Sequence, residues 1–363
     1  MKSFQPAYLP LKDLNWLPLI KLIGKANAEI ARYDGIIQGI VNTDILLSPL
    51  QTQEAVLSSK IEGTQATFEE VLEYEADPER VQDKKEDINE VLNYRVAMQD
   101  AVRSLRTKPL SLNLIKRIHS ALLQNVRGHY KARGKLRTIQ NWIGNPGCKI
   151  EDASYVPPEP QAVLPLMDNL EKYIHQDEMD ALVQLAILHA QFELIHPFLD
   201  GNGRAGRILI PLFLFQKSIL STPMFYLSYY LEANRKEYYF RLQNISRERD
   251  WEGWIAFFLG AIIEQAHENK NKAMQIVGLY NDMKDRISQA TRSQFAIQTL
   301  DALFERPIFQ TTGFAIRSQI QKQSALRILN ALKKEKILVT VRESRGRQAE
   351  ILMFKDLIEL VQM

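Results

Sequence analysis

Cysteine is almost absent: Cys148 is the only one in 363 residues. An intramolecular disulfide is excluded, and so is a zinc cage built on cysteine. The chain suits a reducing compartment, and a cytoplasmic location is the expectation. Long apolar runs are also lacking. A run such as Ile208 to Phe215 falls far short of the ~20 residues of a membrane helix. In MKSFQPAYLPLKDLNWLPLI prolines and charges break up any signal-peptide core. No membrane partner is expected. A large excess of one charge is missing too, since the net charge is +3, so charge over the whole chain gives no case for a nucleic-acid partner. There is no internal repeat and no low-complexity stretch.

What is present is an apolar share of 45% and a charged share of 25%, ordinary for a globular chain with a sizeable core. The length favours two or three domains. Most of the chain carries a helical period. Residues 44 to 62 align Ile45, Leu46, Leu50, Val56, Leu57 and Ile61, with Pro49 at the helix start or in a kink and Gly63 as the stop. Thr67 and Glu70 have the spacing of a capping box ahead of Val71 and Leu72. The Asp- and Glu-rich stretch from 69 to 90 reads as a solvated face. Helices are expected over 86 to 105, 111 to 125, 161 to 175 and 180 to 194, and again up to about 290. Between them, Asn145-Pro146-Gly147 is a turn between two β-prone runs, which predicts a hairpin over 139 to 156.

The last 75 residues differ. A helix from about 291 should stop before Pro307, Thr311-Thr312-Gly313 reads as a turn, and Ser324 as the cap of a helix through Leu326, Ile328, Leu329 and Leu332. A β-prone run from Ile337 to Val341, the basic turn Ser344-Arg345-Gly346-Arg347 and a second β-prone run to Phe354 follow. Helix, helix, strand, basic turn, strand is the order of a winged helix. Nine Lys and Arg from Arg317 to Arg347 stand against Glu335 and Glu343, a local net charge of +7 between 314 and 349. Such a module could neutralise DNA phosphates or serve as a protein–protein module.

Residues 196 to 207 read HPFLDGNGRAGR. Three glycines permit close approach of the backbone to a ligand, and successive N–H groups in such a turn form an anion nest. The run ILIPLFLF after it reads as a buried helix whose N-terminus would face the same anion. Arg204 and Arg207 supply forked donors for phosphate oxygens. Asp200 is a hard oxygen ligand of the kind Mg²⁺ takes beside phosphates, and His196 can act as a general base. Gly201, Gly203 and Gly206 match GxGxxG, but a helical pattern and not a strand precedes them, so a dinucleotide fold is set aside. A metal site on His189, Glu193 and His196 is disfavoured because Pro197 ends that helix and no HExxH spacing exists.

The segment resembles the core motif of the Fic family, HxFx[DE]GNGRxxR, at every fixed position, and the resemblance extends over roughly residues 40 to 265. It implies a mainly helical enzyme that transfers AMP from ATP to Ser, Thr or Tyr hydroxyls of proteins. On that resemblance His196 is the catalytic base and Asp200 the Mg²⁺ ligand. Gly201, Asn202, Gly203, Arg204, Ala205, Gly206 and Arg207 bind the ATP phosphates, with Arg207 on the γ-phosphate. Tyr239, or else Tyr238, in SYYLEANRKEYYFRL would stack near adenine. The hairpin resembles the Fic flap, which aligns a target segment by strand addition, with Ile139, Trp142, Ile150 and Tyr155 expected to be exposed.

Ser58-Ser59-Lys60-Ile61-Glu62-Gly63 resembles the family's inhibitory motif, [ST]xxxE[GN]. Ser58 and Glu62 share a helix face, and Glu62 would pair with Arg207 and misplace ATP. The expected division is an N-terminal helical region over 1–95, a Fic catalytic domain over 96–285 and a winged helix over 286–363. Two rivals stand beside AMP transfer: removal of AMP through a water positioned by Glu62, and a DNA-binding regulator that only senses nucleotide. ATP, a protein hydroxyl and, through the winged helix, DNA are the partners considered. The oligomeric state is left open, with a homodimer among the options.

Overall fold

The computed structural model describes residues 3–79, 83–126, 131–145, 147–345 and 348–362. Pro146 of the expected turn and Gly346 and Arg347 of the basic turn lie outside the described residues. The fold is mainly helical. It starts with α1 (Ile20–Gln38), the short α2 (Thr43–Leu46), α3 (Ser48–Ile61), α4 (Phe68–Ala76) and α5 (Lys85–Leu105). Then come α6 (Leu112–Leu122), α7 (Pro160–His175), α8 (Ala181–Ile195) and α9 (Asn202–Gln216), followed by α10 (Ser228–Ala233), α11 (Arg235–Glu248) and the 41-residue α12 (Trp251–Thr291).

Helix α8 is the centre of the core. In ALVQLAILHAQFELI every residue except Ala181 and Glu193 is buried, as expected of a helix that is apolar all round. It packs against α7, α9 and α12, and Trp254 of α12 donates its indole N–H to the Ala186 carbonyl at 2.8 Å. Helix α1 lies along α12. Pro49 falls in the first turn of α3, where its missing N–H has no helical partner to lose. At the other end Gly63 adopts φ +100°. The Thr64 N–H donates to Ser59 and the Gly63 N–H to Lys60, which is a Schellman closure. The Thr67–Glu70 capping box is formed at the start of α4.

The stretch from 69 to 90 is not simply a solvated face. Asp77 and Glu90 are buried, each because an arginine from elsewhere in the fold neutralises it: Arg342 on Asp77 and Arg204 on Glu90.

The C-terminal part comprises α13 (Ala296–Glu305), β1 (Ile308–Gln310), α14 (Thr311–Arg317), α15 (Lys322–Lys334), β2 (Val339–Arg342), β3 (Ile351–Met353) and α16 (Lys355–Gln362). The strands form one antiparallel sheet in the order β1-β3-β2. Two local expectations are corrected. Thr311-Thr312-Gly313 is the first turn of α14, stabilised by burial of Thr311 and Phe314. Ser324 lies inside α15, whose N-cap is Gln321. The helix begins earlier because Ala325, Ile328, Leu329 and Leu332 set its buried face, and no side-chain cap is needed. Strand β1 packs on α4, and α16 packs on α3 and α12.

Among the described residues, the expected hairpin over 139 to 156 is reduced to a single antiparallel bridge, Ile143 with Tyr155. A 3-10 turn at Ile150–Asp152 interrupts any longer ladder. Ile139 and Trp142 are exposed. Ile150 and Tyr155 are only half exposed, Tyr155 because its hydroxyl donates to the Leu194 carbonyl at 2.6 Å.

Candidate active site

The α8–α9 connection gathers the candidate residues. His196 ends α8 in the left-handed region, at φ +48°. Arg137, buried, closes that helix end. Its Nε donates to the His196 carbonyl at 2.9 Å and Nη2 to Ile195 at 3.3 Å, a cation placed on C-terminal carbonyls where the helix dipole favours it. The Nδ1 of His196 faces the Glu193 carbonyl at 3.4 Å. A carbonyl only accepts, so Nδ1 carries the hydrogen and Nε2 keeps its lone pair. Burial pushes His196 down to about 4, against the raising effects of the Glu193 carbonyl, Glu62 and Asp200. The ring is therefore a neutral base at physiological pH.

The loop is built from its own backbone. Asn202 accepts from the Phe198 N–H at 2.9 Å and donates to the Phe198 carbonyl at 2.8 Å. His119 stacks on Phe198, centroids 3.8 Å apart. Its Nδ1 accepts from the Gly134 N–H at 2.9 Å, so Nε2 donates to the Asp200 carbonyl, also at 2.9 Å. Gly201 is the N-cap of α9 at φ +74°, and α9 starts directly under the loop.

The two arginines differ in their surroundings. Arg207 has 1% of its side chain exposed. Its Nε donates to Ser58 Oγ at 2.8 Å, and Nη2 donates to the Ser58 carbonyl at 2.9 Å and to Glu62 Oε1 at 2.7 Å. Burial would raise Glu62, but the charge and hydrogen bond of Arg207, with Arg204 and His196 behind, hold it below the usual carboxylate value. Gly203 makes this approach possible. A Cβ there would come within 2.2 Å of Glu62 Oε1, so only glycine admits the carboxylate to the loop. Arg204 instead pairs with buried Glu90 at 2.9 Å, and its Nε is buried without a hydrogen-bond partner. An orphaned guanidinium N–H is costly unless an acceptor arrives, and a phosphate oxygen would satisfy it.

Asp200 keeps about a third of its side chain exposed and pairs through Oδ2 with Lys131 at 3.0 Å. A positive charge is already accommodated there, so the carboxylate suits a cation. Among the described residues no cluster of three or more His, Cys, Asp or Glu gathers round a possible metal. A cation at Asp200 would take its other ligands from phosphate and water.

Of the two tyrosines, Tyr238 is buried with its hydroxyl 3.0 Å from His189 Nε2. Tyr239 is exposed to 43% with Arg235 over its ring, so only Tyr239 presents a face to a ligand. Sequence reasoning missed three residues that shape the site, Arg137, Glu90 and Glu54, and weighed Glu193 only as a disfavoured metal ligand. Glu193 Oε1 is buried without a partner, and burial pushes its carboxyl up to about 8. Glu54, on α3, accepts from Ser228 Oγ at 2.6 Å and Tyr94 at 3.2 Å, which fixes the helix that carries Ser58 and Glu62. No local pattern marks these residues: Glu54 finds Tyr94 and Ser228 40 and 174 positions away, Glu90 finds Arg204 114 away, and Arg137 reaches the end of α8 58 and 59 away.

Residues 20–103 match the Fic/DOC family N-terminal region and residues 109–214 the Fic/DOC family domain, together just over half of the chain. The chain is 29% identical over 193 residues to the Aquifex aeolicus protein named "Probable protein adenylyltransferase aq_aa38", covering 52% of this chain and 56% of that one. It is 30% identical over 132 residues to protein adenylyltransferase fic-1 of Caenorhabditis briggsae, covering 35% of this chain and 24% of the relative. The match thus spans about half the length of one relative and a quarter of the other. A Fic family protein from Desulfovibrio desulfuricans shares the fold at a TM-score of 0.61 and 20% identity, over 96% of this chain and 98% of that one. Among the described residues no helix is long and apolar enough to cross a membrane.

Proposed function

Because this chain belongs to the Fic/DOC family, we propose that it is a protein adenylyltransferase that transfers AMP from ATP to a protein hydroxyl, and that Glu62 restrains it at rest. The observation that carries the reading is the anion site itself. Buried Arg207, Arg204 with its orphaned Nε, and the N-terminus of α9 meet on one loop beside a neutral histidine.

In this mechanism the Nε2 of His196 takes the proton of the target hydroxyl. The oxygen bonds to the α-phosphorus, the bond from that phosphorus to the bridging oxygen breaks, and pyrophosphate leaves. The backbone from Gly201 to Gly203, Asn202, Ala205 and Gly206 in the first turn of α9, and Arg204 hold the phosphates. Arg207 clamps the γ-phosphate, and Tyr239 faces the adenine. Asp200 would hold Mg²⁺, which when bound screens the phosphate charge. The rate gain comes from positioning and from charge stabilisation in a fixed site. With Glu62 on Arg207, the γ-phosphate lacks its clamp and the α-phosphorus is not presented to the hydroxyl. Incubation with α-labelled ATP and Mg²⁺ tests the reading: label on the protein itself or on lysate proteins, with release of pyrophosphate, is expected. A nucleotide sensor would bind ATP and release none.

We read the C-terminal part as a winged helix with a nucleic-acid role. The supporting observation is a stripe on α15, Gln323, Arg327, Asn330 and Lys334, exposed at helical spacing. Lys333 and Arg342, by contrast, are engaged inside the protein with Glu350 and Asp77.

A further inference from the structure

One carboxylate oxygen joins the anion loop to the turn that carries Glu62. Glu90 Oε2, on α5, accepts from Arg204 Nη1 at 2.9 Å and from Thr64 Oγ1 at 3.0 Å. Thr64 is the residue whose N–H closes the Schellman turn two positions after Glu62. The next residue is held by the same helix, since the Gln65 N–H donates to Asp87 Oδ2 at 2.7 Å. Asp87 and Glu90 are spaced i, i+3 and so share a face of α5. They grip two consecutive residues just beyond the inhibitory carboxylate.

This grip matters because Arg207 holds Glu62 through a single oxygen. Glu62 is the C-cap of α3, where the helix dipole disfavours a negative charge. About a third of its side chain is exposed, at 32%. Only one of its oxygens is placed by Arg207, and the turn must deliver that oxygen against the bare face of Gly203. A partly solvated carboxylate held through one oxygen keeps its place best when the backbone beneath it is fixed.

We propose that Thr64 and Glu90 form a latch that fixes the inhibitory turn: Thr64 positions Glu62, and Glu90 ties that position to the phosphate-binding Arg204. The proposal rests on the reading of Glu62 as the inhibitor and adds the part that holds it. The shared oxygen couples the two sites, because any displacement of Glu90 that follows Arg204 towards a phosphate is felt by Thr64. Neither residue touches the reacting atoms, and both are positioning residues.

The test uses the full chain and self-labelling from α-labelled ATP at fixed Mg²⁺. Thr64→Val keeps the shape and removes the donor, and Thr64→Ser keeps the donor. A hydrogen bond to a charged acceptor is worth roughly tenfold or more in an equilibrium constant. Thr64→Val should therefore label about three- to tenfold faster than wild type, with Thr64→Ser returning to near the wild-type rate. Combined with Glu62→Gly, Thr64→Val should add nothing, because the latch has no other cargo. Asp87→Ala, which removes the second grip, should activate in the same direction. Faster labelling by Glu62→Gly with Thr64→Val and Asp87→Ala both at the wild-type rate overturns the latch and leaves the autoinhibition reading standing. No activation by Glu62→Gly itself takes down both.

Discussion

Arg207 spends its guanidinium on two residues of one helix. Nε and Nη2 grip Ser58 at its hydroxyl and carbonyl, and Nη2 reaches Glu62 Oε1 at 2.7 Å. The arginine is buried and the glutamate partly solvated, so the pair sits at the rim of the site and not deep in the core. A pair of this kind can be opened by a competing anion without unfolding anything. The Ser58 contacts hold the guanidinium in place whether or not Glu62 is bound.

His196→Ala should abolish AMP transfer and leave ATP affinity nearly intact. A general base contributes about 10²–10⁴-fold, whereas in the proposed mechanism the phosphate contacts come from Arg204, Arg207 and the α9 N-terminus. Labelling assays and nucleotide titration on the same preparation check this. Labelling at the wild-type rate would remove His196 from the mechanism.

The pH profile should be flat where a histidine base ordinarily titrates. Burial holds His196 at about 4, so the base stays neutral through the usual histidine range and loses its lone pair only near the lower value. The same shift costs stability as pH falls, because the unfolded histidine takes up its proton near 6.5 while the folded one does not. His119, pushed by burial to about 4, acts in the same direction. Single-turnover labelling should show no inflection centred near 6.5, and the Glu193 carboxyl, pushed up to about 8, is the group that would shape the profile at its alkaline end. A fall centred near 6.5 would mean that the ring is not held neutral.

Asp200→Ala should lower transfer strongly and blunt its response to Mg²⁺. One carboxylate with substrate phosphates is the usual way Mg²⁺ is held, and Asp200 offers its carboxylate at the edge of the loop. Titration of activity against Mg²⁺ in both proteins is the check, and superimposable curves would exclude Asp200 as the ligand.

The motif loop was legible from sequence because its residues are contiguous. His, Asp, Asn, three Gly and two Arg within twelve positions carry their chemistry wherever the loop sits. Helices were legible for the same local reason, through period and caps: Thr67 with Glu70, Pro49, Gly63. Three things escaped. The acidic stretch hid Glu90 and Asp77, whose burial depends on arginines 114 and 265 residues away. The segment over 139 to 156 looked like two strands because its residues are β-prone, but strand length is set by pairing, and among the described residues only Ile143 and Tyr155 pair there. Thr311-Thr312-Gly313 looked like a turn because its composition outweighed the burial of Phe314, which only the packed fold reveals.

DNA binding, if the C-terminal module reads DNA, should be salt-dependent and should run through the α15 stripe. In the full chain, Arg327→Ala with Lys334→Ala should weaken binding and flatten the slope of affinity against salt by roughly two contacts. Lys333→Ala should do less, since that side chain is paired with Glu350. Absence of binding to duplex DNA at low salt would favour a protein partner for this face.

In the proposed mechanism an intact AMP-transfer site is held off by one carboxylate. A close charge-assisted pair is worth roughly 1.5–3 kcal/mol, and ~1.4 kcal/mol is about tenfold in rate. Glu62→Gly should therefore raise labelling by roughly ten- to a hundredfold. Arg207→Ala should not, because it removes the γ-phosphate clamp with the inhibitor's partner, and the double variant should match Arg207→Ala. The decisive measurement is the initial rate of self-labelling from α-labelled ATP and Mg²⁺ by purified wild type and Glu62→Gly. Strong labelling by Glu62→Gly over a weak wild-type signal is expected; equal rates would exclude Glu62 as the inhibitor.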